Sequence, residues 1–266
     1  MNKVTVKDIL NRKQKERKKI VALTAYDFPF AKLVDQAGVD IVLVGDSVGM
    51  VCLGYTSTVP VSMRQMLHHT QAVSRAVQRA LIVADMPFGS YQTTASALRN
   101  ARRFLKEGGA EAVKLEGGKR ILPQVKALVQ GGVPVMGHLG MTPQTAVELG
   151  GYKVQGKTID EAKRIFDEAK ALQKAGVFSV VLECIPQKLA GRITKALRIP
   201  TIGIGAGARA DGQVLVLHDL LGLESSVHPR FARRYANLSR VVSGALYQYR
   251  EDVLKGKFPS KSESFE

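Results

Sequence analysis

Six short stretches of this sequence close an apolar run on residues capable of acid–base or ligand chemistry. Asp46-Ser47 follows "DIVLVG", Asp85 closes "LIVAD", and Lys114 and Glu116 close "EAVKLEG". His138 lies in "VPVMGHLG", Glu183 ends "FSVVLE", and His218-Asp219 falls in "QVLVLHDLLG". Val180, Val181 and Leu182 make Glu183 the carboxylate of a buried strand end. A charge in that position is expensive unless another group pairs with it or uses it.

Asp46, Asp85 and Glu116 would come from three consecutive apolar runs. On neighbouring strands, about 4.8 Å apart, their carboxylates would repel one another. A hard divalent cation resolves that conflict, and an all-oxygen set favours Mg²⁺ or Mn²⁺ over Zn²⁺. Each acid taken alone also has a structural role open to it. An Asp can cap the following helix, and Glu116 can pair with Lys114, two positions away on the same strand face. Asp27, at the start of "FPFAKLV", is expected to be such a cap. With a metal at these strand ends, Lys114 would neutralise an anionic substrate and Glu183 would stand opposite. That combination suits 2-oxo-acid chemistry, in which a metal chelates the carboxylate and keto oxygens and stabilises an enolate. A carboxylate on a mostly apolar wall, its pKa raised by desolvation, then removes the α-proton.

The elements that must position these residues form a rhythm. Eight runs rich in Val and Ile, starting with "IVALTAY" (20–26) and ending with "QVLVLHDLLG" (213–222), alternate with helix-length segments that often stop at glycine. Eightfold strand–helix alternation predicts a single (β/α)8 TIM barrel spanning 1–266. An N-terminal helix over 1–19, a C-terminal helical extension and a flexible tail over 256–266 complete it. One link is irregular: only "ARADGQ" joins the seventh run to the eighth, too short for a helical crossover. Either that helix is reduced to a turn or the strand count differs there. "GIGAGA" (203–208) matches a dinucleotide fingerprint, but no helix or full βαβ unit fits behind it, so it reads as a glycine-lined rim. The long segments 47–62 and 139–157 are expected to be lids, binding loops or oligomer contacts. His68-His69, mid-helix and without a nearby acid or cysteine, are expected to be structural.

Composition narrows the class. The chain has 266 residues, 45% of them hydrophobic, and no apolar run long enough to span a membrane. The N-terminus lacks a signal peptide's apolar core, and Cys52 and Cys184 read as buried thiols, which together place the protein in the cytoplasm. Lys and Arg exceed Asp and Glu by 16 charges. The excess is scattered, and its densest cluster, "RKQKERKK" (12–19), follows a capping box at Thr5–Asp8 and reads as a solvated helix face. Few aromatics accompany it, so nucleic acid is not an expected partner.

The motifs "TAYD", "LVGDSVGM", "STVPVSMRQMLHHT", "VADMPFGSY", "VKLEGG", "PVMGHLGMTPQ", "GGYKVQGK", "LECIP" and "DGQVLVLHDLLG" occur in order along the chain. In this it resembles the ketopantoate hydroxymethyltransferase family over nearly its whole length. The resemblance implies Mg²⁺-dependent transfer of a hydroxymethyl group from 5,10-methylenetetrahydrofolate to 3-methyl-2-oxobutanoate, the first committed step of pantothenate and coenzyme A biosynthesis. It assigns Asp46, Asp85 and Glu116 to the metal and Asp46, Ser47, Asp85, Lys114 and His138 to the substrate. Glu183 becomes the proton acceptor, and a homo-oligomer, typically a decamer, is implied. Two other classes stay open from the residues: a lyase or mutase of the phosphoenolpyruvate type, and a basic polyanion-binding protein on a barrel.

Overall fold

Valine, isoleucine and leucine crowd eight short segments, and these segments are the strands of a closed parallel barrel. The computed structural model describes residues 2–265 apart from 147, 149, 152 and 224–228, so part of the 139–157 loop lies outside the described residues. The strands are β1 Ile20–Thr24, β2 Ile41–Val44, β3 Leu81–Asp85, β4 Ala112–Glu116, β5 Val135–Gly140, β6 Ser179–Glu183, β7 Thr201–Ile204 and β8 Gly212–Leu215. Each pairs in parallel with the next, and β8 closes on β1. The fold is therefore the expected TIM barrel. Strands β2, β3 and β4 are buried at every residue, which is why their sequences are apolar runs and not alternations.

Clear start and stop signals define the helices. They are α1 Val6–Asn11, α2 Phe28–Gln36, α3 Val48–Val51, α4 Met63–Ala76, α5 Thr94–Arg103, α6 Leu122–Gln130, α7 Ile159–Ala175 and α8 Gln187–Ala196. Asp27 caps α2 by accepting from the Phe30 N–H, as expected. Capping boxes open α4, α5 and α7, and Gly176 ends α7 in the left-handed region at φ +97°. Between β7 and β8 no helix forms; the crossover is a turn, and the strand count stands. Gly205 and Gly207 shape that turn with positive φ, so the glycine fingerprint opens no helix.

The N-terminal segment is shorter as an α-helix than expected and does more than solvate a face. α1 continues as one π-helical turn over Arg12–Glu16. Val4 and Ile9 join the barrel core with Ile20, Ile41, Leu81, Phe178 and Val214. Ile9 is fully buried, so α1 plugs the end of the barrel where the strands begin. Two members of the basic run fasten it: Arg12 binds Asp40, just before β2, and Lys13 binds Asp211, just before β8, each at 2.8 Å. Gln14 to Lys19 remain exposed. Cys52 is also exposed, contrary to its expected burial, and neither cysteine forms a disulfide.

Contacts divide the chain into two compact units, Met1–Val216, which holds the whole barrel, and Leu217–Glu266. The second contains α9 Leu217–Leu221 and α10 Leu238–Leu254, the latter opened by an Asn237 cap. His218 and Asp219 thus lie on a helix and not on the end of β8, because Leu217, Leu220 and Leu221 recur at helical spacing.

Candidate active site

Register decides which strand-end side chains meet. Asp85 pairs with Lys114 across β3 and β4, Glu116 with His138 across β4 and β5, and Gly140 with Glu183 across β5 and β6. Asp46 follows β2, and its backbone N–H donates to Asp85 Oδ2 at 3.0 Å. Lys114 Nζ lies 3.1 Å from Asp85 Oδ1 and 3.8 Å from Glu116 Oε1, so the two residues do share a face. His138 stands between two carboxylates, its Nδ1 3.4 Å from Glu116 Oε1 and its Nε2 3.2 Å from Glu183 Oε2. Asp46, Asp85, Lys114, Glu116 and His138 are all buried, while Glu183 keeps partial exposure. Glu183 is therefore paired with His138 and does not stand on a bare apolar wall.

Too much negative charge for Lys114 alone is confined here, and the proton affinities record it. Burial, then the charges of Asp85 and Glu116, hold the Asp46 carboxyl well above its usual range. Burial also raises Asp85, against the opposing pull of Lys114. For Glu116 burial is outweighed by His138, Lys114 and the Gln144 N–H, so its carboxyl is lowered. Burial and Lys114 oppose a proton on His138, yet Glu116 and Glu183 prevail and push it up to about 9. Lys114, desolvated but ringed by Asp85, Glu116 and Asp46, holds its proton more tightly than usual.

Sequence reasoning assigned no role to two residues that complete the cluster. Gln144, on a short 3₁₀ turn after β5, is buried and donates Nε2 to Asp46 Oδ2 at 2.7 Å and to the Met86 carbonyl at 2.9 Å. Its backbone N–H donates to Glu116 Oε2 at 3.0 Å. Tyr91 donates to Gln144 Oε1 at 2.5 Å. The only signal was position, since both belong to the quoted motifs "VADMPFGSY" and "PVMGHLGMTPQ". Ser47 shares a hydrogen bond with Tyr26 at 2.8 Å. His69 contacts the Tyr26 carbonyl at 2.7 Å, the structural role expected of it.

Backbone geometry fixes where Glu183 sits. Cys184, directly after it, adopts φ +47°, a region costly for a side chain with a Cβ. The Cys184 N–H donates to the Ile204 carbonyl, and the Cys184 carbonyl accepts from Gln155, each at 2.9 Å. Opposite, Gly140 has φ +98°, and a Cβ there would collide with the Glu183 carbonyl.

The donor set suits a hard divalent cation. Asp85 Oδ1 and Glu116 Oε1 are buried and face the Lys114 ammonium at 3.1 and 3.8 Å. With Asp46 they make an oxygen-only set short of positive charge. Among the described residues no three His, Cys, Asp or Glu side chains already converge on one point. Here the Lys114 ammonium and the Gln144 amide face the carboxylates instead. Beyond Glu116 and Gln144 opens a cavity of about 680 Å³, lined also by Phe88, Tyr91, Arg120 and Arg164.

Comparison with known proteins follows this geometry. Residues 3–261 match the family model described as ketopantoate hydroxymethyltransferase. The 3-methyl-2-oxobutanoate hydroxymethyltransferase of Moorella thermoacetica is 58% identical, over 94% of each chain. That of Carboxydothermus hydrogenoformans is 53% identical over 100% of this chain and 96% of its own. Among solved structures, 2,3-dimethylmalate lyase superposes with TM-score 0.64 at 14% identity, covering 99% of this chain and 92% of that one. Phosphonopyruvate hydrolase complexed with oxalate and Mg²⁺ gives 0.63 at 13%, covering 97% and 93%. At such identities these likenesses show the barrel alone.

Proposed function

The chain belongs to the ketopantoate hydroxymethyltransferase family, and from that premise we propose that it converts 3-methyl-2-oxobutanoate, 5,10-methylenetetrahydrofolate and water into 2-dehydropantoate and tetrahydrofolate. The observation that carries this reading is the unbroken line of contacts from Asp46 through Asp85, Lys114, Glu116 and His138 to Glu183. It supports reading Lys114 as an anion-binding cation, the three acids as hard ligands and Glu183 as a base.

Asp46, Asp85 and Glu116 would hold Mg²⁺. When bound, the ion supplies a Lewis acid for the keto oxygen of the substrate. Lys114 holds the substrate carboxylate, and Ser47 helps to orient it. Glu183 accepts the proton from C3 of the oxo acid. His138, whose Nε2 lies 3.2 Å from Glu183 Oε2, holds that carboxylate in line. The C3–H bond and the two C–N bonds that hold the methylene in the folate break. C3–CH₂ and CH₂–OH bonds form with the hydroxyl supplied by water, and the two protons released from C3 and water end on the two folate nitrogens. We assign the cavity lined by Phe88, Tyr91 and Arg164 to the folate: the two aromatics suit its π-systems and Arg164 its carboxylates, while Arg120 is paired with Glu148 at 3.1 Å and Glu168 also lines the wall.

The test is direct. Purified protein with Mg²⁺, the oxo acid and methylenetetrahydrofolate should yield 2-dehydropantoate, and yield none when the folate is omitted. Turnover of the oxo acid without folate would instead favour a lyase or mutase.

A further inference from the structure

We infer that Gln144 is a positioning residue for the divalent-cation site, fixing the orientation of Asp46 and Glu116; this rests on the reading that Asp46, Asp85 and Glu116 take such an ion. Every polar atom of the Gln144 side chain is committed. Its Nε2 donates to Asp46 Oδ2 and the Met86 carbonyl, and its Oε1 accepts from Tyr91. A flipped amide would turn Oε1 onto two acceptors, so only one orientation is stable. Through its own N–H the same residue holds Glu116 Oε2. One loop residue thereby ties together the chain just beyond β2 and β3 and the end of β4.

The arrangement matters because the carboxylates it holds repel one another. Left alone, buried acids of like charge would splay or protonate. Gln144 adds donors without adding charge, and so leaves the cluster's negative charge available to a cation. It occupies one oxygen each of Asp46 and Glu116, and leaves Glu116 Oε1 and Asp85 Oδ1 facing the Lys114 ammonium at 3.8 and 3.1 Å. Partners of this kind around metal ligands typically change metal affinity about 10–100-fold when removed.

The experiment is Mn²⁺ binding to the full chain, followed by electron paramagnetic resonance of the free ion, with no substrate present. Gln144→Met keeps side-chain length and removes both donors; its Kd for Mn²⁺ should rise about 10–100-fold. Tyr91→Phe, which takes away the donor to Oε1 together with a longer contact to the Glu116 carbonyl at 3.3 Å, should raise it less and in the same direction. If Gln144→Met does not fold, the rise in Tyr91→Phe alone decides the matter. Unchanged or tighter binding in the folded variants would overturn the inference. Wild-type protein that binds no Mn²⁺ would overturn the metal reading itself, which separates the two failures.

Discussion

His138 Nε2 lies 3.2 Å from Glu183 Oε2, and the opposite ring nitrogen faces Glu116. One imidazole thus joins the proposed base to the proposed metal ligands. Neither strand alone implies this contact; it follows from the register of β4, β5 and β6.

His138 should also leave a pH signature in stability. Its pKa is raised from 6.5 to about 9, with burial and Lys114 opposing the shift and Glu116 and Glu183 driving it. The folded protein therefore holds this proton more tightly than the unfolded chain. Its contribution is complete below about 6.5 and is lost as pH rises through about 9. Melting curves from pH 6 to pH 10 should show the wild-type midpoint falling more steeply over that interval than that of His138→Gln. Parallel curves would show that the ring carries no extra proton.

Arg164 lines the outer cavity, is exposed, and makes no ion pair among the described residues. Arg164→Ala should raise KM for the folate several-fold and leave KM for the oxo acid unchanged. Added salt should weaken folate binding to the wild type more than to the variant. Equal effects on the two substrates in steady-state assays would remove Arg164 from the folate site.

Away from the site, Asp35 holds the turn before β3 by accepting the backbone N–H groups of Gln78, Arg79 and Ala80. Burial would raise its pKa, but these donors together bring it below the ordinary value. The stabilisation is therefore present above about pH 3.8 and is lost as pH falls through the lower native value. Asp35→Asn should cost about 1.5–3 kcal/mol at neutral pH by denaturant unfolding. The variant should lose less stability than the wild type on acidification.

Much of this was legible in the sequence because parallel strands buried on both faces must be apolar, and a charged residue ending such a strand needs a reason. Asp46, Asp85, Lys114, Glu116, His138 and Glu183 stood out on that ground alone. Gln144 did not, because an uncharged amide in a loop has no pattern until the fold brings Asp46 and Glu116 to it. Ile9 looked like an ordinary helix residue, since its partners in the barrel are remote in sequence. "QVLVLHDLLG" reads as one strand run, and the structure ends β8 at Leu215 and begins a helix at Leu217.

The central claim is that Glu183 takes the α-proton of the oxo acid, and isotope exchange reads that step without the folate. With Mg²⁺ present, wild-type protein should exchange the C3 proton of 3-methyl-2-oxobutanoate into D₂O. Glu183→Gln should exchange it about 10²–10⁴-fold more slowly while binding metal as before. Undiminished exchange in the variant would place the base elsewhere and leave Glu183 with a structural role only.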